Sequence, residues 1–248
     1  MPVKLDLHYV EPRLVALYDD DNPRGDDTKF YVQLAAELDP QLIIDLGCGT
    51  GLLTSALAGD GRVVVGVDPS TEMLAVASER PMTKGLAWVH ADSSEMGLVE
   101  ADLLLMTGNV AQVFLDDDAW AATLRDIHAA LRQGGHLAFE SRNPDARAWE
   151  SWNHDATHTR RETAFGPLEE WLELVSVGDG RVRFDAHNVF HATSEVVVAS
   201  SELRFRTLAE LTDSLHAAGF SIEHVYGDWA RGPVTSDSQL FAIVARRS

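Results

Sequence analysis

Between Leu42 and Ser70 the chain places an apolar run, Leu42-Ile43-Ile44-Asp45-Leu46, before a glycine cluster at Gly47, Gly49 and Gly51. A helical pattern of Leu52, Leu53, Ala56 and Leu57 follows, and a second apolar run, Val63 to Val67, ends in Asp68-Pro69-Ser70. Two short apolar runs flanking an amphipathic segment read as a β-α-β unit, with a glycine-rich turn at the carboxyl end of its first strand. In open α/β sheets that end is where ligands bind. Glycines serve there because a ligand approaches the backbone closely and the turn can require positive φ.

Asp68 follows the glycines by about twenty residues, the place from which nucleotide folds reach the two hydroxyls of a ribose. The glycine spacing narrows the choice of nucleotide. A dinucleotide fingerprint would read G-x-G-x-x-G, whereas this chain has Gly47-x-Gly49-x-Gly51 preceded by Asp45. A phosphate-binding P-loop would continue with Lys and Ser or Thr, where Leu52 and Leu53 stand.

The string Asp45-Leu46-Gly47-Cys48-Gly49-Thr50-Gly51, with Val67-Asp68-Pro69-Ser70 behind it, resembles the cofactor loop of class I S-adenosylmethionine-dependent methyltransferases, in the branch acting on small molecules. The resemblance is strong over residues 42–94 and moderate over 102–144 and 203–226. It is weak before Asp26 and nearly absent from 145 to 201. It implies an α/β fold with a doubly wound, seven-stranded, mostly parallel sheet whose last strand is antiparallel. It also implies S-adenosylmethionine as cofactor. The glycines would meet the methionyl end, Asp68 the ribose and Asp92 with Ser93 the adenine, with Asp45, Pro69 and Met73 also among the cofactor contacts. The loop Thr107-Gly108-Asn109 would bring backbone carbonyls to the methionyl amine and the sulfonium, and Tyr18 would close over the cofactor. Methyltransferases acting on exocyclic base amines carry an Asn/Asp-Pro-Pro-aromatic motif after the fourth strand. Its absence here argues against that substrate class.

The remaining elements fit this frame. Residues 1–28 read as irregular and acidic, and helices are expected at 29–38, 52–58, 71–80, 118–131 and 207–218. Strands are expected at 42–46, 63–67, 86–90, 101–106 and 137–141, then at 220–226 and 239–245, with Gly59-Asp60-Gly61 and Gly134-Gly135 as helix-ending turns. From Asp145 to Ser201 helical periodicity disappears. Residues 171–177, 181–191 and 195–206 read as strands, with Gly178-Asp179-Gly180 as a three-residue hairpin turn. In the second of these, Val182, Phe184, Ala186 and Phe190 share one face. The domains are therefore residues 1–144 with 202–248 as the cofactor-binding unit, and 145–201 as a β-rich lid over the substrate. Trp149, Trp152, Trp171, Phe184 and Phe190 supply the lid with apolar surface, and its removal is expected to leave cofactor affinity largely unchanged.

Composition limits the partners. Of 248 residues, 20 are Lys or Arg and 39 are Asp or Glu, a net charge of −19. Binding to nucleic acid draws mainly on neutralising phosphates, so neither nucleic acid nor an anionic membrane is expected as partner. A small-molecule substrate is expected, and the oligomeric state is left open. A single cysteine, Cys48, excludes an internal disulfide and a cysteine-based metal site. The amino terminus shows no apolar signal segment, so a cytoplasmic enzyme is expected.

Methyl transfer from a sulfonium is an in-line displacement that alignment alone can accelerate greatly, so a dedicated base is optional. Candidate catalytic groups are His154, His158, Glu140 and Arg142, with Asn109, Gln112 and Trp152 also near the substrate. His154 and His158 are spaced to share a helix face, but the sequence places no third ligand, so no metal is expected. The leading function is methyl transfer to an O- or N-nucleophile of a small metabolite. The alternatives are a catalytically silent S-adenosylmethionine-binding protein and an NAD-linked oxidoreductase, the last disfavoured by the glycine spacing.

Overall fold

The computed structural model describes residues 5–59, 61–81 and 83–248, so the Asp60 of the expected turn lies outside the described residues. The segment expected to be irregular opens instead with a 3-10 turn, Leu7–Tyr9, and a helix, α1 (Pro12–Asp21). Pro12 suits the first helical position and the Glu11 side chain accepts from the amides of Arg13 and Leu14. Leu14, Val15 and Leu17 are buried, an apolar stripe masked in the sequence by the acidic run that follows. Helix α2 (Asp26–Leu38) begins a turn earlier than expected. Its first turn holds Asp26 and Asp27, carboxylates that favour the positive end of a helix dipole.

There follow β1 (Leu42–Leu46), α3 (Leu52–Leu57), β2 (Val63–Asp68), α4 (Thr71–Ser78), β3 (Leu86–His90) and β4 (Ala101–Met106). Then come α5 (Val110–Val113), α6 (Asp117–Ala130) and β5 (Leu131–Arg142). Strand β5 starts six residues before the expected Leu137. Gly134 and Gly135 do not end α6; they sit in β5, where its register against β4 shifts between Ala101 and Leu103. Gly134 has φ +75°, and a Cβ on Gly135 would press on the carbonyl oxygens of Ala101 and Arg132. The chain closes with α8 (Leu208–Ala217), β10 (Phe220–Tyr226) and β11 (Leu240–Arg247) after the inserted segment, which holds α7 (His154–Thr157) and strands β6 to β9. Thr207 and Glu210 form a capping box at the start of α8.

The main sheet has the order β10-β11-β5-β4-β1-β2-β3, parallel except for β11, which runs antiparallel to both neighbours. Alternate residues of its strands enter opposite cores: Ile44, Leu104 and Phe139 pack on α6 and α8, while Ile43, Leu103 and Ala138 pack on α2. A parallel sheet covered on both faces accounts for the uninterrupted apolar runs in the sequence. The chain reverses its winding between β1 and β4, which opens a crevice at their carboxyl ends.

The inserted segment is a four-stranded antiparallel sheet, β6 (Thr159–Thr163), β7 (Gly166–Gly178), β8 (Arg181–Phe190) and β9 (Glu195–Arg204). The short edge strand β6 was missed in the sequence. Gly178 pairs with Arg181, so the turn is the two residues Asp179-Gly180, both at positive φ (50° and 68°), the geometry that favours Asp-Gly. The sheet's inner face meets α1 through Leu168, Phe190 and Ala199 against Leu14 and Leu17. Further along, Val182 and Leu203 pack with Trp152 and Phe205. Phe190 thus packs against α1, and Trp171 stands on the outer face, stacked on His187.

Candidate active site

The glycine loop turns sharply after β1, with the amides of Gly47 and Cys48 both donating to the carbonyl of Val67 at 2.7 and 3.1 Å. All three glycines have positive φ, yet they differ in surroundings. A Cβ on Gly47 would strike Val110 at 2.3 Å and one on Gly51 would strike the Trp88 ring at 2.2 Å, whereas a Cβ on Gly49 would meet nothing within 4 Å. Gly47 and Gly51 are therefore required by packing, and Gly49 borders open space. Asp68 holds this loop to β2: its Oδ2 accepts from the Gly49 amide and its Oδ1 from the Ser70 amide, each at 2.8 Å. Each oxygen retains a lone pair, which fits a pair of vicinal hydroxyls.

Asp45 lies buried at the end of β1. Its Oδ2 accepts from Thr54 Oγ1 at 2.6 Å, while Oδ1 has no partner among the described residues. Burial pushes its pKa up to about 6. A buried carboxylate oxygen without a donor, beside a loop bordering open space, fits a ligand ammonium group.

Tyr18 sits at this crest, on α1. Its ring lies 6.3 Å from that of Tyr9, and burial with the nearby charge of Asp68 pushes the Tyr18 hydroxyl up to about 12 and raises that of Tyr9 as well. The amino-terminal segment is tied to both cofactor-side loops. Ser70 Oγ donates to the Tyr9 carbonyl, Thr50 Oγ1 donates to Asp19 at 2.5 Å, and Arg80 bridges Asp19 and the Thr50 carbonyl. Tyr9, Thr50 and Arg80 escaped the sequence reading; only Tyr18-Asp19 carried a signal there.

The other expected cofactor residues stand at the same edge. Pro69 offers its carbonyl to His90 at 3.0 Å, and Met73 is buried in α4 beneath the Ser70 cap. Asp92 follows β3 by two residues and caps the 3-10 turn Ser93–Glu95, accepting from the Ser94 amide at 2.9 Å, while Ser93 Oγ donates to Asp126. Thr107 is half-buried after β4, and Asn109 adopts a left-handed conformation with φ 73°.

Across the crevice, β5 delivers Glu140 and Arg142. Glu140 is buried and its pKa is raised by that burial. Tyr31 Oη donates to its Oε2 at 2.5 Å and the Asn109 amide donates to its Oε1 at 3.2 Å, so the carboxylate is engaged and poorly suited to take a substrate proton. Arg142 Nε donates to Asn109 Oδ1 at 3.0 Å, and its guanidinium lies 5.2 Å from the centre of the Trp152 ring. It has no carboxylate partner among the described residues. Gln112 is buried; its Oε1 accepts from the Arg142 amide at 3.2 Å and its Nε2 has no partner there. His154 and His158 do not join this group. They stack on each other at 4.7 Å on the outer face of the antiparallel sheet, where His158 pairs with Glu169 and His154 packs on Trp171. Among the described residues no group of three or more His, Cys, Asp or Glu side chains is arranged to hold a metal ion.

A family profile described as a methyltransferase domain matches residues 43–135, from β1 into the glycine bend of β5. The cypemycin N-terminal methyltransferase of a Streptomyces species is 27% identical over 227 residues, covering 88% of this chain and 87% of that protein. Residues 43–135 match a methyltransferase domain, and the chain is similar over most of its length to S-adenosylmethionine-dependent methyltransferases. A glycine/sarcosine N-methyltransferase from Halorhodospira halochloris is 25% identical over 240 residues, 93% of this methyltransferase and 84% of the relative. The crystal structure of an S-adenosylmethionine-dependent methyltransferase from Clostridium acetobutylicum has the same fold, with a TM-score of 0.79 at 16% identity over 95% of this chain and 98% of that one. S-adenosylmethionine is the methyltransferase's cofactor. The open Gly49 and the orphaned Asp45 oxygen fit its methionyl ammonium end, and Asp68 fits its ribose.

Proposed function

We propose that the methyltransferase transfers its methyl group to an amine nitrogen of a small metabolite that also carries a carboxylate. The observation that carries this reading is the guanidinium of Arg142, half-buried at the crest, stacked over Trp152 and without a carboxylate partner among the described residues of a chain with net charge −19. A desolvated arginine is best satisfied by an oxyanion held through two of its N–H groups. Asn109 and Gln112 hold Arg142 through their oxygens, which leaves their NH2 groups as further donors beside it. Nitrogen is favoured over oxygen by two relatives matched beyond four-fifths of their own length, named a cypemycin N-terminal methyltransferase and a glycine/sarcosine N-methyltransferase.

The chain's part in the reaction is alignment and exclusion of water. The crest holds the acceptor by its anionic end, the loop after β4 frames the reacting groups, and the lid covers them. The methyl group supplied by S-adenosylmethionine is already activated as a sulfonium. Glu140 is committed to Tyr31 and the Asn109 amide, so the amine arrives unprotonated from solution. The net charge and the want, among the described residues, of a helix long and apolar enough to cross a membrane agree with a small-molecule partner.

The test is turnover of S-adenosylmethionine against paired acceptors, amino-carboxylates and their carboxamides. The expected result is a preference of about 10–100-fold in kcat/KM for the carboxylates, the value of a hydrogen bond to a charged group. Equal rates would remove the carboxylate from the reading. Tight cofactor binding with no turnover of any acceptor would favour the silent binding protein instead.

A further inference from the structure

Glu140 and Arg142 are two residues apart on β5 and so lie on the same face of the strand. The default outcome for a half-buried arginine and a buried carboxylate so placed is an ion pair. The two do not form one. Glu140 is drawn the other way, with Oε2 accepting from Tyr31 Oη at 2.5 Å and Oε1 from the Asn109 amide. Arg142 is left to Asn109 Oδ1 and the Trp152 face.

Tyr31 belongs to α2, is 1% exposed, and packs edge-on against Phe30 and Trp229 in the core beneath α2. That packing holds the ring in place, and its buried hydroxyl has Glu140 Oε2 as its acceptor. The amides that complete the hold come from residues 108 and 109, both left-handed, with φ of 68° and 73°. Consecutive amides in such a turn form a concavity that takes an anion, and here the anion is the chain's own Glu140.

We infer that Tyr31 is a positioning residue that keeps Glu140 away from Arg142, so that the guanidinium stays free for the acceptor's carboxylate. Glu140 is thus a restrained competitor for the acceptor site and is no catalytic base. The inference rests on the carboxylate reading of Arg142 only for what the free guanidinium is for. That it is kept free stands on the contacts alone.

The experiment titrates acetate into protein saturated with S-adenosylhomocysteine, by calorimetry, for the wild type, Tyr31→Phe, Glu140→Gln and the double variant. Loss of the Tyr31 hydroxyl releases Oε2, which turns to Arg142 and competes with acetate, so affinity in Tyr31→Phe should fall tenfold or more. Neutralising the competitor should restore it: the double variant should return to within threefold of wild type. A purely structural role for Tyr31 would make the double variant as weak as Tyr31→Phe or weaker, and that outcome overturns the inference, as does unchanged affinity in Tyr31→Phe. Affinity for S-adenosylhomocysteine should stay within threefold throughout and thermal melts certify the fold. If the wild type binds no acetate, the carboxylate reading fails by itself. The inference is then read from the Arg142 Nε–H resonance, which should shift in Tyr31→Phe and revert in the double variant; a resonance that does not move overturns it.

Discussion

At neutral pH the buried carboxylate of Asp45 works against the fold that contains it. Its pKa is lifted from 3.8 to about 6, so the native state holds a proton that the unfolded chain releases between these values. Stability therefore falls as pH rises from about 4 to 6, and above 6 the full cost is present, on the order of 3 kcal/mol. Asn at this position keeps an oxygen for Thr54 and removes the charge. Asp45→Asn should raise the melting temperature of the cofactor-free protein at pH 7.5, leave it nearly unchanged at pH 4, and weaken S-adenosylmethionine. Paired melts and titrations check it; a variant that melts as wild type at pH 7.5 refutes the account. The glycines separate in the same manner. Gly51→Ala adds a Cβ against Trp88 as well as left-handed strain of about 1–2 kcal/mol, and should lower stability markedly. Gly49→Ala carries only the strain, and should melt within a few degrees of wild type yet lose most of its cofactor affinity. Asp68→Ala should cost about 1.5–3 kcal/mol of that affinity, provided the loop it holds through the Gly49 amide stays in place.

At the scale of elements, the strand-helix alternation from β1 to β4 was legible because each parallel strand is an apolar run closed by a polar turn, and each run was placed to within a residue or two. Helix α1 was not, since Tyr18-Asp19-Asp20-Asp21 resembles a solvated loop until Leu14 and Leu17 are seen to lie on Leu168 and Phe190 of the lid. The bend in β5 was misread because Gly134-Gly135 after a helical stripe looks like a helix stop, and only pairing with β4 distinguishes the two. On the cofactor side the sequence names Asp45, the glycines and Asp68, and the fold brings them to one edge of the sheet. The acceptor side was readable only as residue names, since the direction of Glu140 depends on Tyr31, 109 positions away. The packing of α1 also changes what removal of the lid does. The sequence implies that cofactor affinity survives replacement of 145–201 by a linker, but such a deletion strips Leu14 and Leu17 of their cover and loosens the helix that carries Tyr18. Affinity for S-adenosylmethionine should fall well beyond tenfold, measured by calorimetry on the folded deletion variant. Retention within tenfold would show that α1 holds its place without the lid.

Taken whole, the amino-terminal segment straps the antiparallel sheet to the loops after β1 and β2. Asp6 accepts from Ser201 of β9 and Arg13 pairs with Glu195, while Tyr9 and Asp19 are held by Ser70 and Thr50 at the loops after β2 and β1. Arg161 of the lid reaches back to Asp20 and Asp21 at the end of α1. Reciprocity follows from thermodynamics: whatever free energy the cofactor contributes to seating this strap, an acceptor closing the lid contributes equally to holding the cofactor. The coupling has a time signature. Amides of β8 and β9, more than a hundred residues along the chain from the glycine loop, should exchange their hydrogens for deuterium more slowly once S-adenosylhomocysteine is bound. Arg13→Ala with Asp19→Ala should uncouple that slowing from ligand occupancy. An enzyme built this way releases its spent cofactor at a rate set as much by the breathing of a distant β-sheet as by the grip of the loop that touches it.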